Sequence, residues 1–476
     1  MTPSLTKGEE VRLEISAAAF EGKAVARHEG LVVFVHGAVP GDVVTAQVTK
    51  RKRAYAEARV LRIESPSHDR VEPRCVHFGV CGGCKWQHVA YETQLRFKQQ
   101  HVEDAFQRIG GFSSPGVLPI IGSASPYFYR NKMEFSFSDR QWLAVPPSPD
   151  ASDDVSDERQ NVYLGFHAPS RYDKVIDITE CYLQSERTVR ILEFVRSFAH
   201  RHRLPAYTSV DHSGYLRFLV VRETKRTNQV MVNLVTLTDR PEVMSVFARE
   251  LVSAFPFVTT VINTINDRKA QVAFGETERI LAGEGVIVEE LGGYRFVISA
   301  GSFFQTNTEQ AERLFEVART LAGLTGGETV YDLYSGTGTI AIVLSRFAKR
   351  VIGIESVESA IDDANRNATL NGVTNCSFVQ GDLKDRLTKQ TEWRSDYPPP
   401  EVLVIDPPRS GMHPKVVEEL KSMRVPRIVY VSCNPTTQAR DAKLLCEGPY
   451  RLDRLQPVDM FPHTYHVENV ALLTLS

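Results

Sequence analysis

Two residues near the carboxyl end of the chain have the types and setting for covalent chemistry. In "VYVSCNP", Val429 to Pro435, an apolar run stops at Ser432, Cys433, Asn434 and Pro435. That is the pattern of a buried strand ending abruptly at a turn, with a thiol at its tip. Cysteine is a strong nucleophile even though only a few per cent of a thiol with a pKa of about 8.5 is ionised at neutral pH. In "HTYHVENVALLTL", Glu468 is a polar interruption in a late apolar strand and a candidate general base. The bland alternatives are a small buried hydrophobe for Cys433 and a surface carboxylate for Glu468.

The elements that must position them start at about residue 307. Helix "TEQAERLFEVARTLAGL" is followed by strand "ETVYDLYSGTG", helix "TIAIVLSRFA", strand "RVIGIE", helix "SAIDDANRNATLNG", and strands "CSFVQGD", "VLVIDPPRSG" and "RIVYVSCNP". Nearly continuous apolar strands alternating with helices predict a doubly wound parallel sheet, which binds ligands at the carboxyl ends of its strands.

Each of those ends carries polar chemistry. The first holds Gly336 and Gly338, which let a ligand approach the backbone where a helix begins. The spacing departs from G-x-G-x-x-G and disfavours a dinucleotide. The second ends in Glu355, suited to the two hydroxyls of a ribose. The third ends in Asp382, placed to meet an adenine edge. Three such features in register point to S-adenosylmethionine. The fourth strand ends in "DPPRSG", Asp406 to Gly411, a stiff extended turn facing the methyl acceptor. Arg409 stands where enzymes that methylate exocyclic amines carry an aromatic, which argues against that reaction. With the usual strand order, Cys433 lies beside the methyl donor. The chemistry then fits C5 of uracil. That carbon is a poor nucleophile until a thiolate adds to C6, and its proton must afterwards leave to a base.

A second cysteine group is "CVHFGVCGGCKWQH", with Cys75, Cys81 and Cys84 in a C-x5-C-x2-C spacing. Cys181 in "DITECYLQ" is the best candidate for a fourth ligand. Four thiolates suit zinc or an iron–sulfur cluster, and His77 and His88 keep zinc open. Cys376 and Cys446 have no partners by spacing and read as core residues.

Upstream, residues 9–64 hold short alternating strands separated by glycine turns, the pattern of a small OB-like β-barrel. Its hairpin "TKRKR", Thr49 to Arg53, is either a nucleic-acid contact or a solvated turn. Residues 91–109 predict an amphipathic helix with Tyr91, Leu95, Val102, Phe106 and Ile109 on one side. Residues 127–300 predict a mostly antiparallel sheet with a few helices. The acidic, Pro/Ser-rich stretch 145–160 reads as a surface insertion.

With 476 residues, two to four domains are expected. A net charge of −2 confines any nucleic-acid surface to a local patch. Seven unevenly spaced cysteines and no amino-terminal signal pattern favour reduced thiols and a cytoplasmic protein. No apolar run is long enough to span a membrane. A monomer is expected.

The order of barrel, C-x5-C-x2-C, "FFQTN", "DLYSGTGT", "DPPRSGM", "VSCNP" and "HVE" resembles the RNA uracil-C5 methyltransferases over nearly the whole chain. The likeness is nearest to those acting on 23S ribosomal RNA, with relatives acting on tRNA. It implies a multi-domain α/β fold: a TRAM barrel over 1–66, a central α+β domain over 67–300, and a Rossmann-like methyltransferase domain over 301–476. Residues 91–125 would pack on the last. It implies a [4Fe–4S] cluster on Cys75, Cys81, Cys84 and Cys181. It also implies S-adenosylmethionine held by Gln305, Tyr334, Thr339, Glu355, Asp382 and Asp406, with Cys433 as nucleophile and Glu468 as base. The insertion at 145–160 makes Cys181 the least secure ligand. Tyr334 and Ser335 stand where the family often has Phe and Cys. An unpaired or flipped uridine would be the target, and "YFYRNKMEF" (Tyr127, Tyr129, Arg130, Lys132) offers stacking rings and phosphate-binding charges. The competing reading is an RNA-binding factor whose methyltransferase fold is vestigial.

Overall fold

Alternation of buried and exposed residues builds the first domain. Val11, Leu13 and Ile15 of strand β1 (Glu10–Ala18) point inward and their neighbours outward. With β2 (Ala24–His28), β3 (Leu31–His36), β4 (Val43–Arg51) and β5 (Tyr55–Ser65) it forms a closed barrel in the order β1-β2-β3-β5-β4. Closure leaves no strand edge unpaired. The computed structural model describes residues 5–142, 161–168, 174–389 and 392–476. The expected insertion at 145–160 lies outside these.

Helix α1 (Tyr91–Arg108) buries Val102 and Phe106 as expected, but Ile109 is 44% exposed. The helix ends before it, so Ile109 turns away as the cap. Much of the buried face is polar instead: Thr93, Gln94, Lys98 and His101. That face lies on the carboxyl-terminal domain, and residues 117–121 continue the contact through bridges Val117–Leu455 and Ile121–Val458.

The central sheet contains β6 (Lys132–Ser138), β7 (Tyr163–His167), β8 (Val175–Asp177), β9 (Leu216–Glu223), β10 (Val230–Thr236), β11 (Thr260–Ile265) and β12 (Thr277–Ala282). Its order is β12-β11-β10-β9-β6-β7-β8, antiparallel except for the β10–β11 pair. Helices α2 (Glu186–Arg201) and α3 (Pro241–Ala254) cover one face through Ile191, Val195, Phe198, Met244 and Phe247. A hairpin, β13 (Val286–Leu291) and β14 (Tyr294–Ser299), buries Ile287, Leu291, Phe296 and Ile298 in the core of the next domain.

That domain runs α4 (Thr308–Ala322), β15 (Thr329–Leu333), α5 (Thr339–Ser345), β16 (Arg350–Glu355), α6 (Glu358–Leu370), β17 (Cys376–Gln380), α7 (Leu383–Thr388), β18 (Val402–Ile405), α8 (Pro414–Met423), β19 (Arg427–Ser432), α9 (Pro435–Cys446), β20 (Tyr450–Val458) and β21 (Glu468–Leu475). The sheet order is β17-β16-β15-β18-β19-β21-β20, with β21 antiparallel to both neighbours. The order reverses between β15 and β18, the switch point where such sheets bind ligands. Helices α4, α5 and α6 pack on one face, while α7, α8 and α9 pack on the other with α1. Glu468 does not interrupt a strand. It is the first residue of β21, after a loop from Asp459 to Val467. Cys376 and Cys446 sit half-buried at the margins of the two cores. Among the described residues no helix is long and apolar enough to cross a membrane.

Candidate active site

Ser432, the last residue of β19, pairs with Asn469 across the antiparallel ladder. Cys433 follows Ser432 and Glu468 precedes Asn469, so thiol and carboxylate come to the same end of the ladder, where they interact electrostatically. The turn holding the thiol is locked. Ser432 Oγ accepts the Asn434 N–H at 3.1 Å, and Asn434 caps α9 by accepting the Thr436 N–H at 3.1 Å, with Pro435 in the first turn. The neighbouring "DPPRSG" loop is stitched to this turn, because Asn434 Nδ2 and Thr437 Oγ1 donate to the Arg409 carbonyl at 3.1 and 3.2 Å. Gly411 closes that loop at φ 78°, where a Cβ would come within 2.6 Å of the Asp441 carboxylate.

Three titratable groups meet here beside Arg409, with His466 close to its guanidinium. Burial pushes the Cys433 thiol up to about 11, with Glu468 and Asp406 adding and a hydrogen bond from the Arg409 side chain opposing. Burial and Asp406 push Glu468 up to about 8, again against Arg409. Burial raises Asp406 to about 7. His466 is held down to about 4 by burial, then by Arg409, Lys98 and Arg130, so its imidazole is neutral. Sequence reasoning saw Arg409 only as a missing aromatic and passed over His466; Arg409 beside Cys433, and His466 beside Arg409, come from loop packing, which no local pattern encodes.

The expected donor residues gather in part. Tyr334, Glu355 and Asp382 line a cavity of about 150 Å³, together with Ile354, Ser356 and Val416. Glu355 is fixed from both sides: one oxygen accepts the Gly336 N–H at 3.0 Å, the other the N–H groups of Ser356 and Val357 at 2.7 and 3.0 Å. Asp382 caps α7 by accepting the Asp385 N–H at 3.3 Å. Tyr334 has φ 67°, in series with Gly336 at 53° and Gly338 at 76°, so three left-handed residues alternate along the turn. Thr339 opens α5, its hydroxyl 3.3 Å from that of Thr337. Gln305 meets the central domain through its carbonyl, which accepts from Asn131 Nδ2 at 2.8 Å. Neither Gln305 nor Thr339 lines the cavity, and Asp406 lies with Cys433 and Glu468 instead. Asp332, fully buried below the turn, was also missed. Burial and Asp406 raise it well above the carboxylate range.

The thiols of Cys75, Cys81, Cys84 and Cys181 interact electrostatically, and burial raises each of them. N–H groups donate to their sulfurs: Gly83 to Cys81 at 3.4 Å and Gln87 Nε2 to Cys84 at 3.2 Å. The two loops are joined by Val76 N–H to Glu180 at 2.6 Å and Thr179 N–H to His77 Nε2 at 3.1 Å. His77 is therefore engaged by Thr179, and His88 packs on the Phe78 ring at 4.9 Å. Among the described residues no group of three or more His, Cys, Asp or Glu is arranged to hold a metal ion.

The expected stacking stretch is largely committed inside the protein. Tyr129 is buried and donates to the Pro462 carbonyl at 3.2 Å, Tyr127 packs on His463 at 4.2 Å, and Lys132 pairs with Glu134. On the barrel hairpin Lys50 pairs with Glu57 at 3.3 Å, while Lys52 and Arg53 are exposed.

Residues 287–475 match the family described as tRNA (Uracil-5-)-methyltransferase, and residues 4–61 match the TRAM domain. Uncharacterized RNA methyltransferases of Chlorobaculum tepidum and Bacteroides thetaiotaomicron are each 45% identical. The alignments cover 98% and 96% of this chain, and 96% and 100% of theirs. The chain belongs to the RNA uracil-5-methyltransferase family. Its activity is that of a family of S-adenosylmethionine-dependent RNA methyltransferases. Among solved structures, Pyrococcus abyssi tRNA (uracil-54, C5)-methyltransferase in complex with S-adenosyl-L-homocysteine is 30% identical with a TM-score of 0.74, over 98% of this chain and 100% of that one.

Proposed function

We propose that this chain methylates C5 of a uridine in RNA through a transient bond between Cys433 and C6 of the base. The observation that carries the reading is the Ser432–Asn469 register, which brings Cys433 and Glu468 to the same end of the ladder, where the thiol interacts electrostatically with Glu468 and with the Arg409 guanidinium. Arg409 favours the thiolate, which offsets part of the burial penalty. Its electron pair forms the S–C6 bond, and the C5=C6 pair moves toward O4. When bound, S-adenosylmethionine supplies an electrophilic methyl group, which C5 accepts. Glu468 then takes the C5 proton, the double bond re-forms, and Cys433 departs as thiolate. The target base must be unpaired or flipped, at a cost of a few kcal/mol.

Glu355 suits the ribose hydroxyls and Asp382 the adenine edge, with Tyr334 and Gly336 shaping the turn between them. Gln305, Thr339 and Asp406 complete the donor set by resemblance. Cys75, Cys81, Cys84 and Cys181 are the ligands of a [4Fe–4S] cluster, a structural cross-link between two loops. The electrostatic interaction of the four thiols and the N–H···S donors to Cys81 and Cys84 support that reading, and the engagement of His77 by Thr179 leaves the thiols as the candidate ligands.

The motif order favours 23S ribosomal RNA. Similarity to the Pyrococcus abyssi tRNA enzyme favours a tRNA uridine as the second reading. Mass mapping of methylated uridines in a deletion strain against its parent separates them. A methyl missing from 23S RNA supports the first and one missing only from tRNA the second. No difference in any RNA overturns the enzymatic reading in favour of an RNA-binding factor.

A further inference from the structure

The loop from Asp459 to Val467 delivers Glu468 and His466 to the site, and it is held by residues of the central and carboxyl-terminal domains. Lys98 of α1 donates to Asp459 at 2.5 Å and to the Phe461 carbonyl at 3.0 Å, with neither partner of the ion pair exposed. Asn307 Nδ2 donates to the Met460 carbonyl at 3.1 Å, and Tyr129 to that of Pro462. The barrel approaches through Gly22, where a Cβ would lie 3.5 Å from the Tyr465 ring.

His463 is the knot. It has φ 64° and is 4% exposed. Its carbonyl accepts the N–H groups of Lys85 and Trp86 at 2.8 and 3.0 Å, the two residues directly after Cys84. Its N–H donates to Gln94 Oε1 at 2.9 Å, and its Nδ1 lies 3.2 Å from Gln94 Nε2. Its ring packs on Tyr127. One residue thus joins the cysteine loop, α1 and the central domain, and it lies five positions before Glu468, at most about 17 Å of chain away.

We infer that His463 is a positioning residue that sets the general base Glu468 by locking the cysteine loop and α1 to the loop before β21. The inference rests on the proposed covalent mechanism. A shift of Glu468 leaves thiolate addition and methyl transfer to Cys433 and the donor. It slows the last step, in which the C5 proton passes to Glu468 and the S–C6 bond breaks. The methylated adduct then outlives its formation.

The test uses full-length protein, total RNA from the deletion strain and methyl-tritiated S-adenosylmethionine. Label released into free RNA reports turnover, and label retained on denatured, nuclease-treated protein reports adduct. For His463→Ala we expect turnover down by about 10-fold or more and a rise in the labelled-protein fraction. His463→Asn, which tolerates the left-handed backbone and keeps an acceptor near Gln94, should restore both. Gln94→Met tests the same link from the other side and should also raise the adduct fraction, which keeps the inference testable if His463→Ala fails to fold. Turnover and adduct falling together in folded variants, or neither changing, overturns the role of His463. Absence of labelled protein in Glu468→Gln itself overturns the covalent reading instead.

Discussion

Cys433 and Glu468 directly adjoin the last pair of the β19–β21 ladder, Ser432–Asn469, and interact electrostatically. That placement lets two side chains address adjacent atoms of one ring, the thiol at C6 and the carboxylate at C5. The antiparallel strand β21 thereby brings a residue from the end of the chain to the carboxyl ends of the parallel strands.

Burial raises Glu468 to about 8, and a base must be ionised to accept a proton. The rate of adduct breakdown should therefore rise about tenfold per pH unit below pH 8 and level off above it. Single-turnover measurements from pH 6 to 9 check this. A profile flat across that range would contradict the role of Glu468.

The same shift has a cost in stability with a defined sign. A carboxyl raised from 4.5 to about 8 in the folded state stabilises most below pH 4.5, and that contribution is lost as pH rises through 8. Glutamine mimics the protonated form at all pH values. Glu468→Gln should match the parent near pH 5 and exceed it at pH 9 by up to about 4–5 kcal/mol. Urea unfolding at both pH values tests it, and an advantage confined to pH 5 would refute the assignment.

Lys98 and Asp459 are both fully buried. Removing one partner leaves a buried charge unpaired, so Lys98→Met should lose about 3–5 kcal/mol of unfolding free energy. A loss under about 1 kcal/mol would mean that α1 is not held through this pair.

If the four cysteines carry a structural [4Fe–4S] cluster, anaerobically purified protein should contain about four iron and four sulfide per chain. Cys81→Ala should lose iron, soluble yield and RNA binding together. A folded, iron-free variant that binds RNA normally but lacks activity would speak against a structural role.

The features readable from sequence were those set by neighbours in the chain. The strand ends at Glu355, Asp382, Asp406 and Cys433 each follow an apolar run, and the last three sit beside a Gly or Pro turn, so their positions followed from local pattern. The barrel was legible for the same reason, since Val11, Leu13 and Ile15 alternate inward. What escaped was set by distant contacts. The buried face of α1 carries Gln94 and Lys98 because their partners lie about three hundred and sixty residues away, at His463 and Asp459. Ile109 looked like part of an apolar stripe, but the helix stops before it. Tyr334 read as a mild substitution, yet its left-handed backbone supplies a turn that glycine makes easily. Arg409 takes its role, and His466 its place, from loops that meet only in the folded chain.

The covalent step can be trapped directly with RNA in which 5-fluorouridine replaces uridine. Fluorine at C5 cannot leave as a proton does, so the methylated adduct has no route to eliminate Cys433. The expected result is a protein–RNA complex that survives denaturing electrophoresis, requires S-adenosylmethionine and is absent in Cys433→Ala, a variant that still binds the donor by calorimetry. No complex with the parent protein, or an equal amount with Cys433→Ala, would contradict nucleophilic catalysis by Cys433.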